Sequence, residues 1–414
     1  MEKGIYVGIE LREDFSQASF YEKGEKEPVS VVFENDSLLM PTAIAMDNDG
    51  ISWYIGNEAK KKTTDNQATL IDGILSKAVR KEPVDINNNK TMPVKIMANF
   101  FYCLLEKVKS AAGAEGIMKV GVTLKNFDIS LLNIITKAME SIGIGEDMLE
   151  LCGYDESFVY YALNQKEELW KNDVFLFDYD NDGLVVKRLY RHEERGKNVV
   201  MVHSDDYTDT MTGDMMNNNY SREYVDNLMV EIAQKQFIRK NISSVYLTGC
   251  AFKENIDLPG FVKCICDRKR AFAGNNMYCK GACYMAMGEL KDVVLACSQR
   301  ITTGVEIKIS DRGREKIFRM IKPGVNWYKA KCSYDFIVND CNKLEIFLSP
   351  LDIREKQLVV VDLWELPKRP PKTLRINVSF SFTSDSRCHM MVKDMGFGEL
   401  FPSSGKILNE ELLL

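Results

Sequence analysis

Histidine is scarce in this chain, with three residues (His192, His203 and His389) among 414. None falls in a metal-binding or triad pattern, so imidazole-based catalysis has little footing. Proline is sparse too, at 11 residues, and no stretch is of low complexity or repeats at solenoid length. With 45% hydrophobic residues, the chain can bury cores in two or three domains. An excess of positive charge is also missing: 54 basic residues face 60 acidic ones, for a net charge of -6. No basic face stands out, and nucleic acid is not an expected partner. Long apolar runs are absent as well. The opening MEKGIYVGIELRED carries charges within and just after a short apolar run, unlike a signal peptide or a spanning helix. The expectation is a soluble, cytoplasmic protein with no membrane partner. The 11 cysteines are an odd number, scattered without small-scaffold spacing, which fits a reducing compartment and mostly buried thiols.

What is present is alternation. Residues 5–9, 30–33, 120–124, 174–177 and 245–247 read as strands, and helices with clear apolar stripes lie between them. Ile96, Phe100, Leu104 and Val108 recur every four residues; Leu131, Leu132, Ile135, Met139 and Ile142 follow the i, i+3, i+4 rule. Val225, Leu228, Met229 and Ile232 mark a third helix. After about residue 295 the period shortens to two: Leu374, Ile376, Val378, Phe380 and Phe382 alternate with polar residues. Runs 344–348 and 358–363, with Pro367, Pro370 and Pro371 in the last gap, predict an antiparallel β-domain. Residues 408–414 read as a short tail or helix end.

Several segments, in order, resemble the actin-like ATPase superfamily, and within it the seventy-kilodalton heat-shock chaperones. VGIELREDFSQAS (residues 7–19) is similar to the first phosphate hairpin, and VFLFDYDNDGLVV (residues 174–186) sits where the second belongs. Pro41-Thr42-Ala43 and the segment from Ile55 to Lys60 resemble the family's Pro-Ser and Val-Gly-x-x-Ala-Lys segments. VYLTGCA (residues 245–251) sits at the adenosine-side turn, and Lys280-Gly281-Ala282-Cys283 matches a small-residue helix. Asp292-Val293-Val294-Leu295 resembles the apolar linker between domains.

The resemblance implies an α/β actin-like nucleotide-binding domain (residues 1–290), of the duplicated ribonuclease H-like kind. A linker (291–297), an all-β sandwich resembling a substrate-binding domain (298–407) and the tail (408–414) would follow. It also implies two missing parts. Only about sixty residues separate Gly183 from Ser243, too few for the base-clamping subdomain, and the chain stops just past the β-domain, before a helical lid.

The family's loops use glycine because backbone N–H groups must approach phosphate closely. Here Leu11-Arg12-Glu13-Asp14 stands in the first turn, and Asp180-Asn181-Asp182 replaces the glycine run of the second. A carboxylate about 4 Å from phosphate costs roughly 4 kcal/mol at an effective dielectric near 20. The expectation is therefore a pseudo-ATPase, a chaperone-like protein that binds a polypeptide or protein partner through its β-domain. Gly8, Glu10, Asp178, Gly249 and Cys250 would line the old nucleotide cleft; ATP or ADP with magnesium, held by Glu10 and Asp178, is the cofactor of the active alternative. A self-assembling actin-like scaffold is the other alternative.

Other motifs compete less well. Asp178, Asp180, Asp182 and Gly183 match the first half of a calcium loop, but Leu189 stands where a bidentate Glu belongs, so a hairpin turn is the better reading. Cys264 and Cys266, on one face of a strand, could join Cys279 and Cys283, on a helix, as zinc ligands, although buried thiols are favoured. Asp205, Asp206, Asp209 and Asp214, followed by Asn217-Asn218-Asn219, read as a solvated loop. Residues 209–213 resemble the family's Asp-Thr-His-Leu-Gly-Gly segment, a weak claim on phosphate contact.

Overall fold

The computed structural model describes residues 4–414, except 88, 195, 217–219, 253–256, 289, 291, 340–342 and 352–354. It divides into one unit of Met1–Arg191 with Val202–Lys291 and another of His192–Met201 with Asp292–Leu414.

The first unit begins with strand β1 (Gly4–Leu11), in which Ile5, Val7, Ile9 and Leu11 are almost wholly buried. Its hairpin partner β2 (Phe15–Tyr21) runs antiparallel, and β3 (Val29–Ser30) and β4 (Met40–Pro41) lie along β2. The strand expected over residues 30–33 is thus only a short edge. A three-stranded sheet follows from β5 (Ile44–Asp47), β6 (Trp53–Ile55) and β7 (Ala68–Ile71), with helix α1 (Gly56–Thr64) between the last two. Helix α2 (Ile74–Arg80) and a small hairpin, β8 (Val84–Ile86) with β9 (Asn89–Thr91), lead to α3 (Pro93–Ala112). Proline suits the first turn of α3, where an N–H would lack a helical acceptor. Ile96, Phe100, Leu104 and Val108 are its buried stripe, as the four-residue spacing demands. Strand β10 (Gly116–Leu124) runs parallel to β1. The Asp128 side chain then accepts from the Ser130 and Leu131 amides and caps α4 (Ile129–Ser141). Strand β11 (Leu149–Gly153) pairs in parallel with β10, giving the order β11-β10-β1-β2-β3, and α5 (Tyr154–Leu163) follows.

The pattern then repeats. Strand β12 (Asp173–Asp180) turns through Asn181-Asp182 into β13 (Gly183–Glu194), with Asp180 opposite Gly183. This is the hairpin turn expected in preference to a calcium loop. Strand β14 (Lys197–Asp206) and helix α6 (Arg222–Phe237) precede β15 (Ile242–Thr248), which runs parallel to β12. Helix α7 (Pro259–Cys266) leads to β16 (Arg270–Ala273), parallel to β15, and α8 (Met277–Met287) closes the unit. The order β16-β15-β12-β13 therefore has the same connectivity as β11-β10-β1-β2: a hairpin first, then two parallel strands added beside its first strand. Cys264 and Cys266 lie on helix α7, not on a strand; Cys264 is half-buried and Cys266 exposed. Of the ten described cysteines five are buried, fewer than expected.

In the second unit, β17 (Val293–Ala296) pairs in parallel with residues 198–201 of β14. Residues 292–296, expected as a linker, are thus mostly strand, because their apolar run has a strand edge to satisfy its backbone. The remaining strands form two antiparallel four-stranded sheets. One has the order β19-β18-β21-β22, from β18 (Thr303–Asp311), β19 (Arg314–Ile321), β21 (Lys343–Pro350) and β22 (Gln357–Asp362). The other is β20-β23-β24-β25, from β20 (Lys331–Val338), β23 (Leu374–Phe382), β24 (Arg387–Asp394) and β25 (Ile407–Leu413). Ile376, Val378 and Phe380 are buried, as the two-residue alternation requires. The expected tail is instead strand β25: Leu408 and Leu412 bury their side chains, and the backbone pairs with β24 from Lys393↔Ile407 to Arg387↔Leu413. Its sequence, Ile-Leu-Asn-Glu-Glu-Leu-Leu, has no two-residue alternation, so pairing with β24 and not local pattern makes it a strand. Among the described residues, no helix is long and apolar enough to cross a membrane.

Candidate functional site

The two hairpins of the first unit bring their tips to one cavity. Glu10 and Arg12 come from β1 and the turn after it, Asp178 and Asp180 from β12, and Gly249, Cys250 and Thr248 from the end of β15. Tyr278, Asn275, Gln17, Phe15 and Leu39 complete the wall. Of the five residues expected in the cleft, Glu10, Asp178, Gly249 and Cys250 line this cavity.

Gly8 does something different. A Cβ there would lie 2.1 Å from the Cys279 carbonyl oxygen and 2.4 Å from the Cys283 nitrogen, so glycine lets helix α8 press against β1. Gly121 on β10 meets the same helix, where a Cβ would lie 2.1 Å from the Ala282 carbonyl oxygen. Gly249 has φ +103, and a Cβ would come 2.2 Å from the Tyr179 oxygen; its conformation and close approach to β12 both require glycine. Its amide donates to the Asn275 side chain at 3.0 Å, and the Cys250 thiol to Asn181 at 3.4 Å.

The acids of the cavity are already engaged. The Tyr154 hydroxyl donates to Glu10, and that of Tyr278 to Asp178 at 2.7 Å. The two tyrosine rings stack at 3.7 Å with planes 17° apart, so one packed unit holds both carboxyls. Glu10 is 3% exposed; burial pushes its pKa to about 7, against the hydrogen bond from Tyr154 and the charge of Arg12. Burial also raises Asp178, opposed by Tyr278, Lys187 and Lys125.

Sequence reasoning missed the cation that spans the gap. Arg12 donates to Asp180 from one hairpin tip to the other, holds Asp14 at 3.0 Å, and lies 4.3 Å above the Phe15 ring. Burial works to raise Asp180, but the Arg12 charge, its hydrogen bond and the Asn181 amide prevail and hold it below the ordinary carboxylate range. The acidic residues around it are turned elsewhere. Glu13 accepts from the Ser76 amide at 3.0 Å, Asp182 pairs with Lys125 at 2.6 Å, and buried Asp155 pairs with Lys187 at 2.5 Å. The signal for the bridge was legible only in part: an Arg in one altered loop and an Asp in the other have opposite charges, but only the duplicated topology sets them face to face.

The space left is about 20 Å³, enough for a water and far short of the few hundred Å³ of a small-molecule site. A roomier cavity of about 410 Å³ lies elsewhere in the first unit, with Val31, Phe33, Met40, Ile55 and Lys107 in its wall. Magnesium with a nucleotide would have to displace the hydrogen bonds that Tyr154 and Tyr278 make to the two carboxyls. A metal needs both carboxyls ionised and facing it, whereas burial favours their protons and two tyrosines hold them.

The other expected motifs fall outside. The hairpin tip packs on residues 207–213: Gly213 has room for no Cβ, which would sit 1.9 Å from the Asn181 oxygen, and Tyr179 donates to the Thr212 carbonyl at 2.8 Å. Asp205 accepts from Gln236 and Asp206 from the Thr208 amide, as in a self-contained loop; residues 217–219 lie outside the described residues. Cys279 and Cys283 are buried against β1 and β2, with thiol pKa values pushed up by burial. Among the described residues no group of three or more His, Cys, Asp or Glu side chains is placed to hold a metal.

Comparison with known proteins gives two matches. Residues 300–414 match a domain described as "Domain of unknown function (DUF8552)". No curated protein matches. Residues 25–297 match a second description and make up well over half of the chain, which therefore belongs to the family described as "Family of unknown function (DUF5716) C-terminal".

Proposed function

We propose that this chain is a chaperone-like protein of actin-like fold. In this reading it binds an extended polypeptide or a protein partner through its β-rich unit, and its nucleotide cleft is closed by its own side chains. The observation that carries the second half is the Arg12–Asp180 bridge between the hairpin tips, in the place where the resemblance puts a triphosphate. An arginine there supplies within the chain the positive charge that a nucleotide site otherwise uses to hold phosphate. The repeated connectivity of the two sheets supports the actin-like reading, and it is the reason two hairpins face one cavity.

The first half rests on the antiparallel sheets of the second unit, whose outer strands offer backbone groups for strand addition, and on exposed apolar side chains such as Trp364 and Leu400. An active ATPase would need Glu10 and Asp178 to leave Tyr154 and Tyr278, and Arg12 to release Asp180. The test is anisotropy of a labelled, permanently unfolded polypeptide titrated with the full chain, with and without ATP and magnesium. Saturable binding that nucleotide leaves unchanged is expected. Absence of binding, or release on adding ATP, would contradict the proposal.

A further inference from the structure

Four strands form the outer edges of the two sheets of the second unit: β19 and β22 in one, β20 and β25 in the other. An edge strand presents unpaired backbone N–H and C=O groups, and charged residues within the strand commonly guard it against pairing with another chain. Three of the four edges carry that guard: Glu315, Lys316 and Arg319 on β19, Asp335 on β20, and Glu410 and Glu411 on β25. Strand β22 carries charge only at its last residue, Asp362. Between Gln357 and Asp362 its residues are Leu358, Val359, Val360 and Val361. Leu358 and Val360 leave the same face and are 51% and 46% exposed. Among the described residues, β22 has a strand neighbour on one side, β21.

The flanks of this edge carry opposite charges at equal distances from its middle: Lys356 stands three residues before Val359 and Asp362 three after it. Lys356 holds Glu306 at 2.5 Å with its side chain still 40% exposed, and Asp362 lies 3.8 Å from Lys343 at 56%. Each therefore keeps a free side toward solvent.

We infer that two copies of this chain pair antiparallel through β22 about a twofold axis at Val359. In that register Lys356 of one copy faces Asp362 of the other at both ends, Leu358 faces Val360 twice, and Val359 faces itself. A parallel pairing would instead set Lys356 against Lys356 and Asp362 against Asp362, so charge selects the antiparallel one. Two four-stranded sheets become one of eight strands. The contact is essentially one strand pair, smaller than a standard interface of about 1,600 Å², so the dimer is a weak one that dissociates on dilution. The inference stands independently of what the cleft or the polypeptide assay shows.

Sedimentation equilibrium of the full chain in reducing buffer, over a concentration series, tests it. A reversible monomer–dimer equilibrium is expected. Val360→Lys, which places a charge mid-strand on the exposed face, should weaken it at least about tenfold. Lys356→Asp should weaken it by a similar factor, and adding Asp362→Lys should restore it; Arg319, 3.3 Å from Glu306, keeps that carboxylate paired throughout. Circular dichroism follows folding, and if Val360→Lys unfolds the chain, the charge-exchange pair still decides. A chain monomeric at every concentration, or a dimer indifferent to these substitutions, would overturn the inference.

Discussion

Glu10 and Arg12 show how two residues separated by a single position, Leu11, can be set to opposite tasks. Burial lifts the Glu10 carboxyl from an ordinary 4.5 to about 7, so the folded state keeps a proton that the unfolded chain gives up. The sign follows directly: the stability this proton confers is whole below about pH 4.5, declines as pH rises and is gone above about 7. The range corresponds to about 3 kcal/mol. Glu10→Gln cannot ionise yet still accepts from Tyr154, so urea midpoints measured across that window should fall less steeply with pH than in the parent. An equally steep fall in both would place the titration elsewhere; Asp178, raised in the same direction, should retain part of it. Arg12, by contrast, stays charged, and its bridge to Asp180 is nearly enclosed, with side chains 10% and 6% exposed. Arg12→Ala strands a buried carboxylate and should cost about 3–5 kcal/mol in chemical denaturation. The Arg12→Ala, Asp180→Ala double variant should lose less than the sum of the singles, because each removal cancels the other's orphan charge. Strictly additive losses would mean that the bridge couples nothing.

At the scale of elements, glycine decides how closely helix α8 can lie on the first sheet. Gly121→Ala would drive a methyl into the Ala282 carbonyl, and a Cβ added at Gly281 would lie 2.0 Å from the Ser157 carbonyl oxygen, so glycine there lets α8 pack closely on α5. Gly121→Ala should therefore lower stability by about 3 kcal/mol or more. Gly116→Ala on the same strand, with nothing within 4 Å, should shift it by no more than about 0.5 kcal/mol. Thermal melts of the two variants decide, and equal melting would refute the packing role. Strand β25 offers a second check. Leu412 is 6% exposed, so Leu412→Ala should cost about 2–5 kcal/mol, whereas a loose tail would lose almost nothing. Elements with strong periodicity were legible in the sequence: the four-residue stripe of α3 and the alternation of β23 fall where the pattern puts them. Short or ambiguous segments were not. Residues 264–266 were expected on a strand from the two-residue spacing of the cysteines, but packing of Phe261 and Ile265 into the core sets them in helix α7.

For the whole molecule, the division near residue 291 was visible as a change of period from helical to two, while the assignment of residues 192–201 to the second unit was not. That assignment depends on pairing between β14 and β17, about a hundred residues apart, which no local pattern announces. The site was legible to a similar degree. Motif order singled out Glu10, Asp178, Gly249 and Cys250, but not Tyr154, Tyr278 or the bridge, because those contacts exist only once distant segments fold together. If Arg12 and Asp180 close the cleft, the folded protein has no room to gain affinity for ATP over its unfolded chain, and ligand linkage should be nil. The most direct measurement is the melting temperature of the full chain titrated with ATP and magnesium at neutral pH. A flat titration is predicted for the parent and for Asp178→Asn alike. A saturable rise in the parent that Asp178→Asn abolishes would contradict the closed cleft.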